Sequence, residues 1–386
     1  MSNTSSSFSS SSPPPPPQEK ISSKSFYNEY HGHKLSHLRT LYPPLRSSCD
    51  ALIWTAGDSS LDNKYWFTDR QPAQAAGPVY AQLLDPPSCV ADVTFWLNHL
   101  EHERHKQEKK SGASNNNNNN STKYAAINTA VEATTLNQRS RSLLPQDKFI
   151  RDNISSQDIL IVSICGNDVA LAPTPCTIAS IAGLLCCLPQ SCLENGTTFG
   201  TVPMDDCCCG CGPSLASCTC ACPPCLGYIR HLFGTRVQHY IEKLTAKVKP
   251  KKILVAMIYY PDEANFPSWA NGALGALGYN NHPEKVQLLI RKMFEQATSR
   301  ISIAGSEVIP IPLFVPLDGT RSEDYVARVE PSAIGGRKMA EYLLDVIHQD
   351  GGGVMMSGYD STTSCMMGAN NVVAAPSTSF ISGRER

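Results

Sequence analysis

The chain has 386 residues, 41% of them hydrophobic, which is enough apolar material for one α/β domain of about 250 residues with tails and insertions left over. The formal net charge is −1, so the chain lacks the basic field that attracts nucleic acid, and we expect no nucleic-acid partner. No apolar stretch reaches about 18 residues, and the first residues lack the apolar core of a secretory signal. These features predict a cytoplasmic protein without a transmembrane segment.

Composition divides the chain into one domain, two tails and two insertions. The first residues are mostly Ser and Pro, a composition that cannot bury enough apolar surface to offset the loss of chain entropy on folding. The last residues are also of low complexity, and a run of asparagines from Asn115 to Asn120 interrupts the middle of the chain. We predict disordered tails at 1–24 and 349–386, a domain at 25–348, a low-complexity insertion at 111–122 and a Cys-rich insertion at 186–225.

The first predicted strand ends abruptly in a polar turn, Gly57-Asp58-Ser59. An α/β protein often presents a nucleophile on a tight turn at the carboxyl end of a strand, where ligands also bind. Ser59 is therefore a candidate nucleophile and Asp58 a candidate substrate contact. The alternative is that this Asp-Ser pair caps a helix, since both residue types are common at helix N-termini.

Two later predicted strands are followed by similar polar turns. The stretch from Tyr124 contains the second strand and leads to Ala133, and the third strand, 158–164, leads to Gly166-Asn167-Asp168. In order and spacing, these turns and the serine turn resemble the first three sequence blocks of the SGNH (GDSL-type) hydrolase family. The resemblance covers roughly residues 50 to 348.

The resemblance implies an ester hydrolase in which the serine attacks the carbonyl carbon. It further implies an oxyanion hole made by the backbone N–H groups of Ser59 and Ala133 and the side-chain amide of Asn167. Ala133 stands where the family usually has Gly, which keeps the N–H donor but requires a backbone geometry that tolerates a Cβ. Asp168, next to the asparagine, is a further predicted substrate contact.

The fourth family block, Asp-x-x-His-Pro, is altered in this chain. Ala327 stands at the position of the acid and Glu330 at that of the histidine, directly before Pro331. An unperturbed Glu, with a pKa of about 4.3, is a weaker base than His at about 6.5, although burial can raise a carboxyl pKa by about 3 to 5 units.

Three functional hypotheses follow from this substitution. Glu330 acts as the base on Ser59, directly or through a water. Alternatively, His282 from another loop is the base and Glu330 orients it. In the third hypothesis, the protein is a pseudohydrolase that binds an acyl or carbohydrate ester without cleaving it. A non-functional interpretation is that Glu330 is a carboxylate favoured by the dipole of the helix that follows it.

The remaining elements alternate in the manner of an α/β protein. A helix is predicted at 226–248, a strand from Lys252, a helix at 284–304, a strand at 308–314 with two prolines that favour a sheet edge, and a last helix that ends near His348. Tyr259, Tyr260 and Asp262 follow the fourth strand and are pocket candidates by position, with Tyr260 and Asp262 as predicted substrate contacts. The pattern predicts a three-layer α/β/α fold with a parallel five-stranded sheet, and the family resemblance makes it flavodoxin-like in strand order.

The mechanism requires no cofactor and no catalytic metal. The Cys-rich insertion contains two Cys-x2-Cys pairs that suit a structural zinc, Cys208 with Cys211 and Cys222 with Cys225. A flexible, reduced insertion is the alternative, and disulfides would be expected only if the protein were secreted. The sequence thus predicts a serine esterase or lipase-like hydrolase of a small-molecule, lipid or carbohydrate ester, with the pseudohydrolase as the alternative.

Overall fold

A computed structural model describes residues 20–67, 73–110, 122–186, 190–194 and 226–349. Its centre is a parallel sheet of five strands, β1 Ala51–Gly57, β2 Tyr124–Asn128, β3 Ile159–Ser163, β4 Lys252–Met257 and β5 Glu307–Pro312. The strands lie in the order β2-β1-β3-β4-β5. This is the flavodoxin-like order, in which the direction of winding reverses at β1 and β3.

Helices cover both faces of the sheet. Every residue of β1 to β4 is buried, as expected for parallel strands enclosed between two helical layers. The edge strand β5 has one exposed and two half-buried positions and contains Pro310 and Pro312, which have no N–H to donate to a further strand. The predicted three-layer α/β/α fold and the edge position of the proline-containing strand are therefore confirmed.

The described helices precede β1, connect the strands of the central sheet and follow β5. Helices α4 and α14 pack against each other, and α4 also packs on the edge strand β2. The helices are α1 Ser23–Tyr27, α2 Leu35–Ser48, α3 Pro78–Leu83, α4 Val93–Lys110, α5 Leu136–Arg139, α6 Pro145–Asn153, α7 Gly166–Ala170, α8 Pro175–Cys186, α9 Gln190–Glu194, α10 Leu226–His231, α11 Val237–Leu244, α12 Asn271–Ala276, α13 Pro283–Gln296 and α14 Ala333–His348.

Some element boundaries differ from the sequence predictions. A π-helical segment, Leu232–Arg236, separates α10 from α11, where periodicity alone predicts one continuous helix. Helix α13 ends at Gln296, eight residues before the predicted position of 304. Helix α4 begins at Val93 because the Asp92 carboxylate accepts a hydrogen bond from the N–H of Phe95 (2.7 Å) and caps the first turn.

The predicted domain limits also need correction. Ile21–Ser22 forms a short parallel pair with Leu84–Asp85, and Ile21 is buried, so the folded part begins before the predicted boundary at residue 24. Within the predicted Cys-rich insertion, Gln190–Glu194 forms α9, and burial of Leu193 ties this helix to the core. Residues 1–19, 68–72, 111–121, 187–189, 195–225 and 350–386 lie outside the described parts of the chain. No helix in the described ranges combines the length and apolarity needed to cross a membrane.

Candidate active site

The serine turn lies where the sheet reverses its winding direction. β1 ends at Gly57, whose φ is +135°, and a Cβ at this position would lie 1.7 Å from the carbonyl oxygen of Ser163 at the end of β3. Only glycine allows the two strand ends to approach so closely. The next N–H, that of Asp58, donates to the same carbonyl oxygen (3.1 Å), and the chain then turns to place Ser59 at the carboxyl edge of the sheet. Ligands of doubly wound proteins bind at this point.

Glu330 lies in direct contact with Ser59. The serine Oγ donates a hydrogen bond to Glu330 Oε1 at 3.2 Å, and both side chains are buried. Glu330 is carried by a small antiparallel hairpin in which it pairs with Val326. Its Oε2 is buried and has no hydrogen-bond partner among the described residues.

The surroundings of Glu330 favour its neutral form. Burial raises the pKa of Glu330 well above its usual value, the hydrogen bond from Ser59 lowers the pKa, and the carboxylates of Asp58, Glu132 and Asp62 raise it further. A carboxyl group with a raised pKa is a stronger base once it is ionised. The surroundings therefore raise the proton affinity of the Glu330 carboxylate, which is the direction needed for it to replace a histidine as base.

Arg328 fixes the hairpin that carries Glu330. Ala327 and Arg328 both have positive φ values, 50° and 68°, which cost non-glycine residues about 1 to 2 kcal/mol each. The fully buried guanidinium of Arg328 offsets this strain through charge-assisted hydrogen bonds. It donates to the carbonyl oxygen of Asp262 (3.2 and 3.0 Å) and to the side-chain oxygens of Asn265 (3.4 Å), Asn271 (2.9 Å) and Asn280 (2.9 Å).

Asn167 lies at the start of α7, which follows β3, and Ala133 lies in the turn that follows β2. Asn167 Nδ2 donates to the carbonyl oxygen of Thr134 at 3.0 Å, which joins α7 to the segment after β2 and leaves a second amide hydrogen for another acceptor. Ala133 has a φ of +55°, the left-handed geometry for which glycine is the usual residue. Within the described chain, the backbone N–H groups of Ser59 and Ala133 form no hydrogen bond.

The two aspartates predicted as substrate contacts have different surroundings. Asp58 lines the cavity beside Ser59, and its Oδ1 accepts hydrogen bonds from the N–H (3.1 Å) and hydroxyl (2.8 Å) of Ser60. Burial raises the pKa of Asp58 to about 6. Asp168 instead accepts from the N–H groups of Leu136 (2.7 Å) and Asn137 (3.2 Å). It caps α5 rather than facing the cavity, because its two oxygens accept from N–H groups of the first helical turn, which have no partner within the helix.

Tyr260 and Asp262 also point away from the cavity. The ring of Tyr260 stacks on Phe314 with 5.1 Å between ring centroids, and its hydroxyl accepts from Arg291 (3.1 Å). Asp262 is buried, and its Oδ1 accepts from the N–H of Ala264 (2.8 Å). The preceding side chain, Tyr259, lines the cavity and donates from its hydroxyl to the carbonyl oxygen of Val329 (2.7 Å).

His282 is not brought to the serine. It precedes α13 with 62% of its side chain exposed, and its Nδ1 lies 3.1 Å from Glu284 Oε1. The described residues that line the cavity include no histidine. The hypothesis that His282 acts as the base would therefore require a movement of this loop.

The cavity beside Ser59 has a volume of about 120 Å³. Its polar lining residues are concentrated around the serine, and the rest of the described lining is predominantly apolar. Trp269 lines the cavity and stacks on Trp66, with 6.0 Å between ring centroids. Tyr259 is a candidate from its position after the fourth strand, whereas Trp269 lies in no motif and no sequence signal indicates it.

A buried ion cluster supports the far side of the serine turn. Lys64 Nζ lies 2.8 Å from both carboxylate oxygens of Asp62 and 3.7 Å from Glu132 Oε2, and all three side chains are inaccessible to solvent. Asn128 also donates to Asp62 Oδ1 (2.8 Å). Removal of one partner from such a buried cluster leaves an uncompensated charge, so these residues serve the stability of the site.

In the described ranges, no group of three or more His, Cys, Asp or Glu side chains is arranged to hold a metal ion. The four cysteines of the predicted zinc site lie outside those ranges, so that site stays a prediction.

The fold and this geometry define an α/β protein with a buried serine–glutamate pair at the carboxyl edge of a parallel sheet. No protein-family model matches the sequence, and no curated protein does so.

Several solved structures resemble this chain. They include the lipase Lip_vut3 from a goat rumen metagenome (12% identity, 78% of this chain and 99% of that chain, TM-score 0.34). A carbohydrate esterase family 3 protein from Talaromyces cellulolyticus is 12% identical, over 78% of this chain and 100% of that chain, with a TM-score of 0.32. An extracellular lipase from Streptomyces rimosus is 9% identical, over 76% of this chain and 99% of that chain, with a TM-score of 0.32. At these values the similarity carries no information about the activity of this chain.

Proposed function

We propose that this protein is a serine-dependent hydrolase of carboxylic esters, with Ser59 as the nucleophile and Glu330 as the general base. The observation that carries the proposal is the hydrogen bond of 3.2 Å from Ser59 Oγ to Glu330 Oε1 at the wall of an apolar cavity. Nucleophile and base within hydrogen-bond reach are the arrangement that covalent ester hydrolysis needs.

In the first half of the reaction, Ser59 Oγ attacks the ester carbonyl carbon while its proton passes to Glu330 Oε1. The carbonyl oxygen becomes an oxyanion, for which the N–H groups of Ser59 and Ala133 and the amide of Asn167 are the proposed donors. When the tetrahedral intermediate collapses, Glu330 returns the proton to the oxygen of the leaving alcohol, and an acyl-serine remains.

In the second half, water attacks the acyl-serine. Glu330 takes a proton from the water as its oxygen bonds to the carbonyl carbon. It then returns a proton to Ser59 Oγ as the acyl–oxygen bond breaks, which releases the carboxylic acid and restores the enzyme. The direct contact between Ser59 and Glu330 supports proton transfer without a bridging water.

One observation favours the alternative function, a pseudohydrolase that binds an acyl or carbohydrate ester without turnover. The raised pKa of Glu330, caused chiefly by burial, extends the pH range in which this side chain is neutral. A neutral carboxyl group cannot accept the serine proton, so turnover is restricted to pH values at which Glu330 ionises.

Labelling with a fluorophosphonate probe and hydrolysis of aryl esters separate the two functions. The wild type is expected to be labelled at Ser59 and to hydrolyse the esters, and Ser59→Ala is expected to lose both properties. Ser60→Ala is the matched control, because this neighbouring hydroxyl contacts Asp58 and Ser163 rather than Glu330. Undiminished hydrolysis by Ser59→Ala would contradict the nucleophile assignment. A wild type without turnover, whose melting temperature nevertheless rises with an ester ligand, would support the pseudohydrolase.

A further inference from the structure

The apolar wall of the cavity is built from faces of several helices. On α13 the lining positions Val286, Leu289, Ile290 and Met293 recur at intervals of three and four residues, so one face of this helix is directed at the cavity. On α8 the lining side chains are Ile181 and Leu185. Asp58 and Glu330, both beside Ser59, are the charged side chains among the described lining residues.

This distribution of polarity restricts the ligand. A sugar ring in the cavity would bury hydroxyl groups against a wall that offers them no partner, at a cost of about 1 to 3 kcal/mol for each unpaired group. An acetyl group would leave most of the apolar wall without contact. A hydrocarbon chain fits the wall, because each methylene that leaves water contributes about 0.8 kcal/mol.

We propose that the cavity binds the unbranched hydrocarbon chain of a fatty acyl ester, with the ester carbonyl at Ser59. The position of the carbonyl rests on the proposed hydrolase function. Binding of the chain does not depend on turnover, since it uses the apolar wall alone. The cavity is continuous with the serine turn, because Ser59 and Asn167 belong to the same lining as the α8 and α13 side chains.

Binding is measured first, in the Ser59→Ala background, by calorimetric titration with the methyl esters of butanoic, hexanoic, octanoic and decanoic acids. Neutral esters avoid repulsion by Asp58 and Glu330. The Kd is expected to fall about fourfold for each added methylene until the cavity is filled. A Kd that does not change with chain length would overturn the proposal.

A pair of substitutions on α8 tests the location of the chain. Ile181 lines the cavity and is 6% exposed, whereas Ile178 on the same helix is 56% exposed and does not line it. In the Ser59→Ala background, Ile181→Phe is expected to weaken binding of the decanoate ester about tenfold and that of the butanoate ester less than about twofold. Ile178→Phe is expected to change neither. Equal losses in the two variants would overturn the proposed location.

A second variant keeps the test informative if Ile181→Phe does not fold. Val286→Ala enlarges the cavity on α13 and is expected to move the optimal chain length to longer esters. An unchanged optimum would overturn the proposal.

Turnover then separates this inference from the proposed function. In the wild type, ethyl decanoate is expected to exceed decyl acetate in kcat/KM, and the reverse order would overturn the assignment of the chain to the acyl side. Absence of turnover together with chain-length-dependent binding would refute the hydrolase and support the hydrocarbon site. Hydrolysis of short esters with no dependence on chain length would support the hydrolase and refute the site.

Discussion

Glu330 is a carboxyl group held against a hydroxyl in surroundings that oppose its ionisation. Burial is the main cause, and the nearby carboxylates of Asp58 and Glu132 add to it. At a pH below the raised pKa the side chain is neutral and cannot accept a proton from Ser59. Activity is therefore expected to increase as the pH rises through this pKa, well above the range in which an ordinary glutamate titrates.

The substitution Glu330→Gln keeps the shape of the side chain and removes the proton acceptor. We expect kcat to fall about 10² to 10⁴-fold and the acidic limb of the pH profile to vanish from any residual activity. Profiles of kcat/KM against pH for wild type and variant measure both effects. His282→Ala is the control and should leave the kcat/KM profile unchanged, because this side chain is exposed. Loss of activity in His282→Ala, with Glu330→Gln nearly unaffected, would show that the base is misassigned.

Arg328 is expected to position Glu330 rather than to take part in the chemistry. Arg328→Lys keeps a positive charge, but one ammonium cannot replace both Nη1, which contacts three asparagine side chains, and the Nε and Nη2 groups that donate to the carbonyl oxygen of Asp262. We expect a lower kcat, a small change in KM and a displaced acidic limb, since a hairpin that shifts changes the surroundings of Glu330. A variant with lower thermal stability and an unchanged pH profile would reduce Arg328 to a structural role.

Single residues of the site differ in how far the sequence alone could place them. Ser59 and Asn167 follow apolar strands directly, so a local pattern is enough to bring them to one sheet edge. Tyr259 and Tyr260 are neighbours in sequence, yet only Tyr259 lines the cavity. Composition does not show which of two adjacent side chains faces a cavity. The partners of Arg328 are brought together by tertiary structure, for which no local pattern exists.

At the scale of elements, the strands were predictable and the helix ends less so. Strands buried on both faces give continuous apolar runs, and such runs are easily recognised when turn residues bound them. The end of α13 and the π-helical segment after α10 depend on tertiary packing that overrides periodicity. The start of α4 depends on one capping carboxylate, that of Asp92.

Asp92 makes the stability of this element sensitive to pH. Burial raises the pKa of Asp92 to about 7, the hydrogen bond from the N–H of Phe95 opposes this shift, and the charge of Asp62 adds to it. Because the folded state holds the proton more tightly than the unfolded state, the stabilising contribution is complete below the ordinary pKa. It is lost as the pH rises through about 7.

Asp92→Asn retains a good N-cap and removes the titration. We expect the wild type to lose on the order of 2 kcal/mol more of its free energy of unfolding than the variant between about pH 5 and about pH 8. Urea unfolding of both proteins at the two pH values measures the difference. Parallel losses in both proteins would assign the pH dependence to other groups.

At the scale of the whole molecule, the described elements extend from Ile21 to His348. A chain of residues 20–349 is expected to melt cooperatively at the temperature of the full chain. A chain of residues 25–349 removes the buried Ile21 and the pairing with Leu84, and we expect its free energy of unfolding to be about 1.5 to 3 kcal/mol smaller. Calorimetry of the three proteins tests this. Equal stability of the two shorter chains would restore the boundary at residue 24 that composition predicts.

The serine–glutamate pair joins positions 271 apart in the sequence. At a synthesis rate of about 5 to 20 residues per second, the ribosome adds Glu330 roughly 14 to 54 s after Ser59. By then the strands that place Ser59 and Asn167 have all been synthesised, while the proton acceptor is still missing. A nascent chain on the ribosome therefore has the serine turn without the means to activate it. Each molecule acquires its proposed chemistry only when translation of the hairpin that carries Glu330 is complete.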